Sequence, residues 1–238
     1  GRLVDSMVHD GLTDAYEDRH MGVAADRCAE SCNVPRDAQD EFAIRSYHKA
    51  REAIEHGWFD REIVPVRVEE NGSEPLTVDT DEEPPRADFG KMRRLNPVFT
   101  EEGTVTPGNA STINDGAAAL VVASEERAER LGLSPVARIL GRAQHAGKPM
   151  EFPTAPVPAV ERALGDAGLE LEEIDLFEVN EAFAVVALIA QDRLGIPADR
   201  LNVHGGAVAL GHPIGASGAR ILTTLLYALE QREKRLGL

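Results

Sequence analysis

N-V-H-G-G-A-V-A-L-G-H-P-I-G-A-S-G-A-R, residues Asn202 to Arg220, joins a short extended approach, a glycine-rich bend, a histidine set against a proline, and the opening of an amphipathic helix. Beyond it Leu222, Leu225 and Leu229, with Ile221 and Leu226, recur at helical spacing, which predicts a helix from near Pro213 to about Leu236 with His212 at its entrance. Gly205, Gly206, Gly211, Gly215 and Gly218 remove Cβ atoms where backbone must come close to something, and N–H groups at a helix start favour anions or polarised oxygens. A reactive oxygen or a phosphate fits such a place.

Competing readings of this stretch are weaker. A dinucleotide fingerprint needs G-x-G-x-x-G opening the helix, whereas the spacing here is Gly211, Gly215, Gly218 with Pro213 inside. A serine elbow needs G-x-S-x-G after a strand, and Gly215-Ala216-Ser217-Gly218-Ala219 lacks both the last glycine and the strand. The plain alternative for His212 is a structural histidine beside a glycine bend.

Working outward, the chain before this stretch alternates strand and helix: a strand from Val136 to Leu140, a helix from Pro158 to Gly168, a strand from Ile174 to Val179, a helix from Glu181 to Gly195 and a strand from Leu201 to His204. That order argues for an α/β layered domain. Asn180 stands between a strand and a helix, where an N-cap is the ordinary role. Ala117 to Ala123 is a continuous small-residue apolar run, expected as a strand buried on both faces, and a helix from Glu125 to Leu131 follows it.

Two helices are expected near the start. In the first, Met21, Ala25, Cys28 and Cys32 share one apolar face, so the two cysteines of the chain read as core residues, without zinc-ligand spacing or a thiolate-stabilising cluster. The second runs from about Arg36 to His56 on an Ala43, Tyr47, Ala50, Ile54 stripe. Val64 to Val68 alternates like a strand, and Glu69 to Arg86 reads as surface loop and hairpin. Arg86, Lys91, Arg93 and Arg94 then form the one concentrated basic segment, either a solvated face or an anion site.

At 238 residues the chain can bury a full core. Lys+Arg 25 against Asp+Glu 41 leaves a net charge of −16, which disfavours non-specific binding to nucleic acid or an anionic membrane and makes a local basic patch necessary for any anionic ligand. No apolar run approaches the ~20 residues of a membrane span. A cytoplasmic protein is the expectation.

With N-E-A-F at 180–183, G-G-A-V-A-L-G-H-P-I-G-A-S-G-A-R at 205–220, G-N-A-S at 108–111 and H-M-G at 20–22, the chain closely resembles the thiolases over essentially its whole length. The resemblance implies a layered αβαβα architecture, here incomplete, with an α+β loop domain. It divides the chain into a CoA-binding loop domain (1–113), the last strand and helix of an N-terminal domain (114–135) and a C-terminal domain lacking its final strands (136–238). The implied activity is acyl transfer by reversible Claisen condensation, or thiolysis of a 3-ketoacyl-CoA. It needs no cofactor, coenzyme A thioesters being substrate and product.

The resemblance also assigns roles. His212 activates a cysteine nucleophile and, with a water held by Asn180, forms an oxyanion hole for the thioester oxygen. Arg86 lies toward the CoA nucleotide, Phe99, Ala110 and Ser111 along the pantetheine, Leu12, His20 and Met21 near the pantetheine end and acyl pocket, and Ala182 and Phe183 at the acyl end. His20 and Met21 imply short acyl chains. An intact enzyme of this kind is a homo-oligomer, dimer or tetramer. The family's nucleophile segment and its C-x-G loop have no counterpart here, and Cys28 and Cys32 match neither, so this chain alone is expected not to turn over. The alternatives are a non-catalytic CoA-binding or scaffolding remnant, and a serine hydrolase using Ser217 with His212.

Overall fold

Apolar spacing marks two early helices, and both are present. The computed structural model describes residues 1, 3–69 and 74–238, with α1 over Met21–Ser31 and α2 over Arg36–Glu55. The ring of His20 caps α1 by accepting the Gly22 N–H at 3.0 Å, and α1 buries Ala24, Ala25, Cys28 and Ala29. The core expectation therefore holds for Cys28, whereas Cys32 follows the last turn and is only half-buried.

Strands β1 (Val66–Val68) and β2 (Leu76–Val78) pair antiparallel with Val66 opposite Val78. The turn expected between them, at 70–73, lies outside the described residues. The single-turn helices α3 (Glu83–Arg86) and α4 (Phe89–Met92) follow. Arg51 of α2 holds them, donating to the carbonyls of Pro84 at 2.6 Å and Ala87 at 2.8 Å while its guanidinium covers the Phe89 ring.

Two expected strands are absent as strands. Residues 117–123 and 136–140 are extended but irregular, with Val121 96% and Val136 89% exposed. A strand is a pairwise object whose main-chain groups need a neighbour. Apolar content shows which residues favour burial, not what covers them, and among the described residues neither stretch has a ladder partner. Between them lies the short helix α5 (Glu125–Arg130), capped by the Ser124 hydroxyl.

The C-terminal helices are α6 (Pro156–Ala167), α7 (Ala184–Leu194), α8 (Ala207–Leu210) and α9 (Ser217–Gln231). Proline opens α6, and left-handed glycines at 168 and 195 end α6 and α7. The strands expected at 174–179 and 201–204 are reduced to single parallel bridges, Phe177 with Leu201 and Leu176 with Gly237. The last helix starts at Ser217 rather than Pro213, because Pro213 to Ala216 form the turn that enters it. It stops at Gln231 rather than near Leu236: Glu233 takes a positive φ of 53°, and the chain doubles back so that Gly237 can pair with Leu176.

Helix α7 organises the core. Ala184, Ala187 and Ala190 enter one cluster with Phe42, Phe177 and Leu201, while Val185, Val186 and Ile189 enter another with Ala25, Cys28 and Phe183. A helix apolar all round is the pattern of one enclosed on every side. Against it α2 also packs the loop at Gly205, which has a φ of +80° and lies where an added Cβ would meet the Ser46 carbonyl at 2.6 Å and the Ala50 Cβ at 2.9 Å. Left-handed strain costs ~1–2 kcal/mol and overpacking ~1–3 kcal/mol. Gly205→Ala is therefore expected to lower the unfolding free energy by about 2–5 kcal/mol, read from urea melts of the two chains, and a loss under 1 kcal/mol would contradict the close approach.

Candidate active site

The acidic side chain of N-E-A-F is fully buried. Glu181 Oε2 accepts from the Ser46 hydroxyl at 2.7 Å and the Val208 N–H at 3.0 Å, and Oε1 accepts from Asn202 Nδ2 at 2.7 Å. Ser46 Oγ in turn accepts the Gly206 N–H at 2.9 Å. Asn202 brackets Val179, accepting its N–H at 2.8 Å and donating to its carbonyl at 2.9 Å. One carboxylate thus ties α2, the strand end at 179–181 and the bend at 202–208. Burial raises its pKa and the three donated bonds oppose that rise.

The G-N-A-S loop then joins the two arms of the site. The Asn109 carbonyl accepts the first N–H of α7, from Ala184, at 2.8 Å; Ser111 donates both its N–H (3.1 Å) and its hydroxyl (3.0 Å) to the Ala182 carbonyl; and the His212 N–H reaches the Thr112 carbonyl at 3.2 Å. Asn109 is itself held through its amide, which donates to Asp40 at 2.9 Å.

These anchors bring Asn180 and His212 together. Asn180 Nδ2 lies 3.3 Å from His212 Nε2, and Asn180 Oδ1 is buried without a partner among the described residues. Asn180 is not the N-cap of α7, a position occupied by Phe183. On the other side of the ring, His212 Nδ1 lies 2.7 Å from Ser217 Oγ. Burial is the main cause that lowers the His212 pKa, with Arg220 adding to it, so the ring is neutral near pH 7. An open cleft of about 390 Å³ runs between Asn114–Ala118 and Pro213–Ala216, the turn that follows His212 in the chain.

The remaining expected site residues fall into one wall and one outlier. His20 stacks on Phe99 at 4.7 Å, Phe99 meets Phe183 edge-on at 6.0 Å, and Phe183 pairs with Ala110. Met21 and Ala182 pack against the same cluster. Leu12 ends a short π-helix, Met7–Leu12, next to Thr13, which bridges to His20. Arg86 is not drawn in: it lies exposed and pairs with Glu82 at 2.9 Å, while Arg93 pairs with Glu41 at 2.7 Å. Neither cysteine joins the site. Cys28 Sγ lies 3.6 Å from the Met150 carbonyl with its thiol pushed up to about 11 by burial, and Cys32 Sγ lies 3.2 Å from an Arg193 nitrogen.

This geometry can polarise an oxygen and relay a proton, and comparison with known proteins gives it a lineage. The model for "Thiolase, N-terminal domain" matches residues 1–126 and that for "Thiolase, C-terminal domain" matches residues 133–238. The chain belongs to the thiolase family. It is 50% identical over 237 residues to the Arabidopsis thaliana "Acetyl-CoA acetyltransferase 2", covering 99% of this chain and 59% of the relative. To the Dictyostelium discoideum "Probable acetyl-CoA acetyltransferase" it is 48% identical over 235 residues, again 99% of this chain and 57% of the relative. The crystal structure of the Bacillus anthracis acetyl-CoA acetyltransferase superposes with a TM-score of 0.94 at 39% identity, covering 100% of this chain and 60% of that one. The architecture is therefore thiolase-like α/β. The chain spans about three-fifths of the length of these relatives.

Sequence reasoning passed over Glu181, Asn109 and Thr112, whose contributions are contacts across more than 20 positions and leave no local period. It also weighed Ser217 only as a nucleophile. That role does not fit, since Ser217 is 2% exposed and its hydroxyl donates to the Pro213 carbonyl at 3.0 Å.

Next to the clamp, Glu178 is buried with both carboxylate oxygens lacking a partner among the described residues, and both buried terminal nitrogens of half-buried Arg220 lack one as well. Burial pushes Glu178 up to about 8 from its ordinary 4.5, and Glu62 up to about 7 for the same reason. The folded chain therefore keeps protons that the unfolded chain has released. Stability is fully present below about pH 4.5 and is lost as pH rises through 7 to 8. Melting temperatures from pH 5 to pH 9 should fall for the native chain and fall less steeply for Glu178→Gln; parallel profiles would rule out Glu178 as a source of the slope.

Proposed function

We propose that this chain carries the coenzyme A site and half of the catalytic machinery of an acetyl-CoA acetyltransferase, condensing two acetyl-CoA or thiolysing a 3-ketoacyl-CoA. The observation that supports it most is the pairing of Asn180 Nδ2 with His212 Nε2 at 3.3 Å, with an open cleft at the turn that follows His212. An unprotonated ring nitrogen in that position takes the proton of a thiol when the amide N–H yields its place, and the amide beside it can hold a water against the thioester oxygen. Histidine proton relay contributes ~10²- to 10⁴-fold, and loss of an oxyanion donor costs ~3 kcal/mol.

Substrate recognition in this reading follows from charge and shape. The Arg86, Lys91, Arg93, Arg94 segment offers a local positive field to CoA phosphates on a chain of net charge −16. The His20, Phe99, Phe183 wall, with Met21 beside it, is the surface a short acyl group would meet. Each excess methylene against such a wall costs ~1–3 kcal/mol. The reaction needs CoA thioesters alone, with no added cofactor. The intact enzyme works as a cytoplasmic homo-oligomer, a reading favoured by the exposed apolar stretch 117–123; no described helix is long and apolar enough to cross a membrane.

The missing part of the chemistry is the nucleophile, because Cys28 is buried with a raised pKa and Cys32 sits beside Arg193. Incubated with acetoacetyl-CoA and CoA, the 238-residue chain is expected to bind CoA saturably while mass spectrometry finds neither an acyl adduct nor acetyl-CoA. Supplying the nucleophile-bearing segment of a relative should restore turnover, and His212→Ala should then cut it by ~10²-fold or more. Arg86→Ala should weaken CoA binding about fivefold, which corresponds to ~1 kcal/mol. CoA binding without restorable turnover would leave a non-catalytic CoA-binding protein; an adduct on Cys28 or Cys32 that vanishes with His212→Ala would relocate the nucleophile.

A further inference from the structure

The ring of His212 lies between two groups that can each either give or take a proton, and its chemistry depends on which they do. On the Nδ1 side is the Ser217 hydroxyl at 2.7 Å; on the Nε2 side is the Asn180 amide at 3.3 Å. A hydroxyl has one proton. Ser217 Oγ also lies 3.0 Å from the Pro213 carbonyl, one helical turn back, which can only accept, and the arrangement in which the hydroxyl donates there is the one that places every proton of this group. Its oxygen is then left to accept, so the proton between Ser217 and His212 belongs to Nδ1.

We infer that Ser217 is a positioning residue that fixes His212 in the Nδ1–H tautomer, leaving Nε2 unprotonated, its lone pair shared only with the Asn180 amide, as the proton acceptor of the site. The inference rests on the reading of His212 as the base. It gives that reading a direction: only a ring protonated on Nδ1 can take a thiol proton at Nε2, and in doing so it becomes an imidazolium whose second N–H remains satisfied by Ser217.

The converse network would have the hydroxyl donate to Nδ1, with Nε2 carrying the proton and the Asn180 amide reversed to accept it. It is the poorer of the two. The observed arrangement leaves one orphan acceptor, Asn180 Oδ1, in the interior. Reversal would put the amide's NH₂ into the same buried place with nothing to receive it, and orphaned donors are rarer in proteins than under-satisfied oxygens. His20 shows the opposite choice in the same chain: its Nδ1 accepts the Gly22 N–H at 3.0 Å, so its proton is on Nε2. The two site histidines are therefore predicted to be opposite tautomers, which makes His20 an internal reference.

The test is long-range ¹H–¹⁵N correlation on the ¹⁵N-histidine-labelled 238-residue chain at pH 8, without substrate. The His212 and His20 signals are assigned by their disappearance in His212→Ala and His20→Ala. Expected is a protonated Nδ1 and a bare Nε2 for His212, with the reverse pattern for His20. A bare Nδ1 on His212 in the native chain overturns the inference, with no variant needed. In Ser217→Ala the Nδ1–H signal should be lost in favour of averaged or reversed shifts, and Ser217→Thr, which keeps the hydroxyl, should restore it. Persistence of the Nδ1–H signal in Ser217→Ala would show that something else holds the proton. Because the tautomer is read without turnover or CoA, a chain that fails to bind CoA sinks the functional reading and leaves this one standing, and the converse holds equally.

Discussion

A single buried carboxylate carries most of the burden of alignment. Glu181 sits where three pieces of chain distant in sequence meet, its own strand end, α2 and the bend at 202–208, and its three hydrogen bonds come from the other two: Ser46 on α2, and Asn202 and the main chain of Val208 in the bend. A charge in the interior is tolerated only when its oxygens are well served, and removal of one partner leaves a penalty of several kcal/mol. That severity makes it useful. Small displacements of α2 or the bend would strand the charge, so Glu181 fixes the separation between its own neighbour, Asn180, and the loop that leads to His212.

The rest of the site is strung on main-chain bonds. Asn109, Ser111 and Thr112 reach Ala184, Ala182 and His212 in turn, so the G-N-A-S loop acts as a spacer between the strand end and the glycine bend. Small residues are needed here because main chain approaches main chain. With the aromatic wall of His20, Phe99 and Phe183 packed on the other side of the same loop, the parts expected to hold an acyl group and to act on it share one support.

Local periodicity revealed the helices well. The stripes of α1 and α2 and the closing glycines of α6 and α7 follow from spacing and composition, whereas α6 opens at Pro156, two residues before the expected Pro158, and α7 at Ala184, three residues after the expected Glu181, whose side chain is taken up by contacts distant in sequence. What it could not reveal depends on partners. The run at 117–123 has strand composition and is not a strand, because ladder bonds come from a neighbour. The start of α9 was misplaced by one turn because Pro213 fits both a first helical position and the turn before one. The motif residues were legible through resemblance, but Asn180 alone was indistinguishable from a cap, and only the 3.3 Å approach to His212 separates the two roles.

The direction in which the parts are joined gives the site its chemical sense. Burial lowers the proton affinity of His212, as does the nearby charge of Arg220, so the ring is held neutral. A neutral imidazole is ambivalent, donor on one edge and acceptor on the other. Rigidity in the surrounding backbone does not resolve that ambivalence, since both edges are equally well positioned. It is resolved at the first residue of α9, where the Ser217 hydroxyl gives its only proton to the Pro213 carbonyl. The H-P-I-G-A-S order thus has a function beyond turning the chain: the proline carbonyl orients the serine, the serine orients the ring's proton, and the ring presents its lone pair to Asn180.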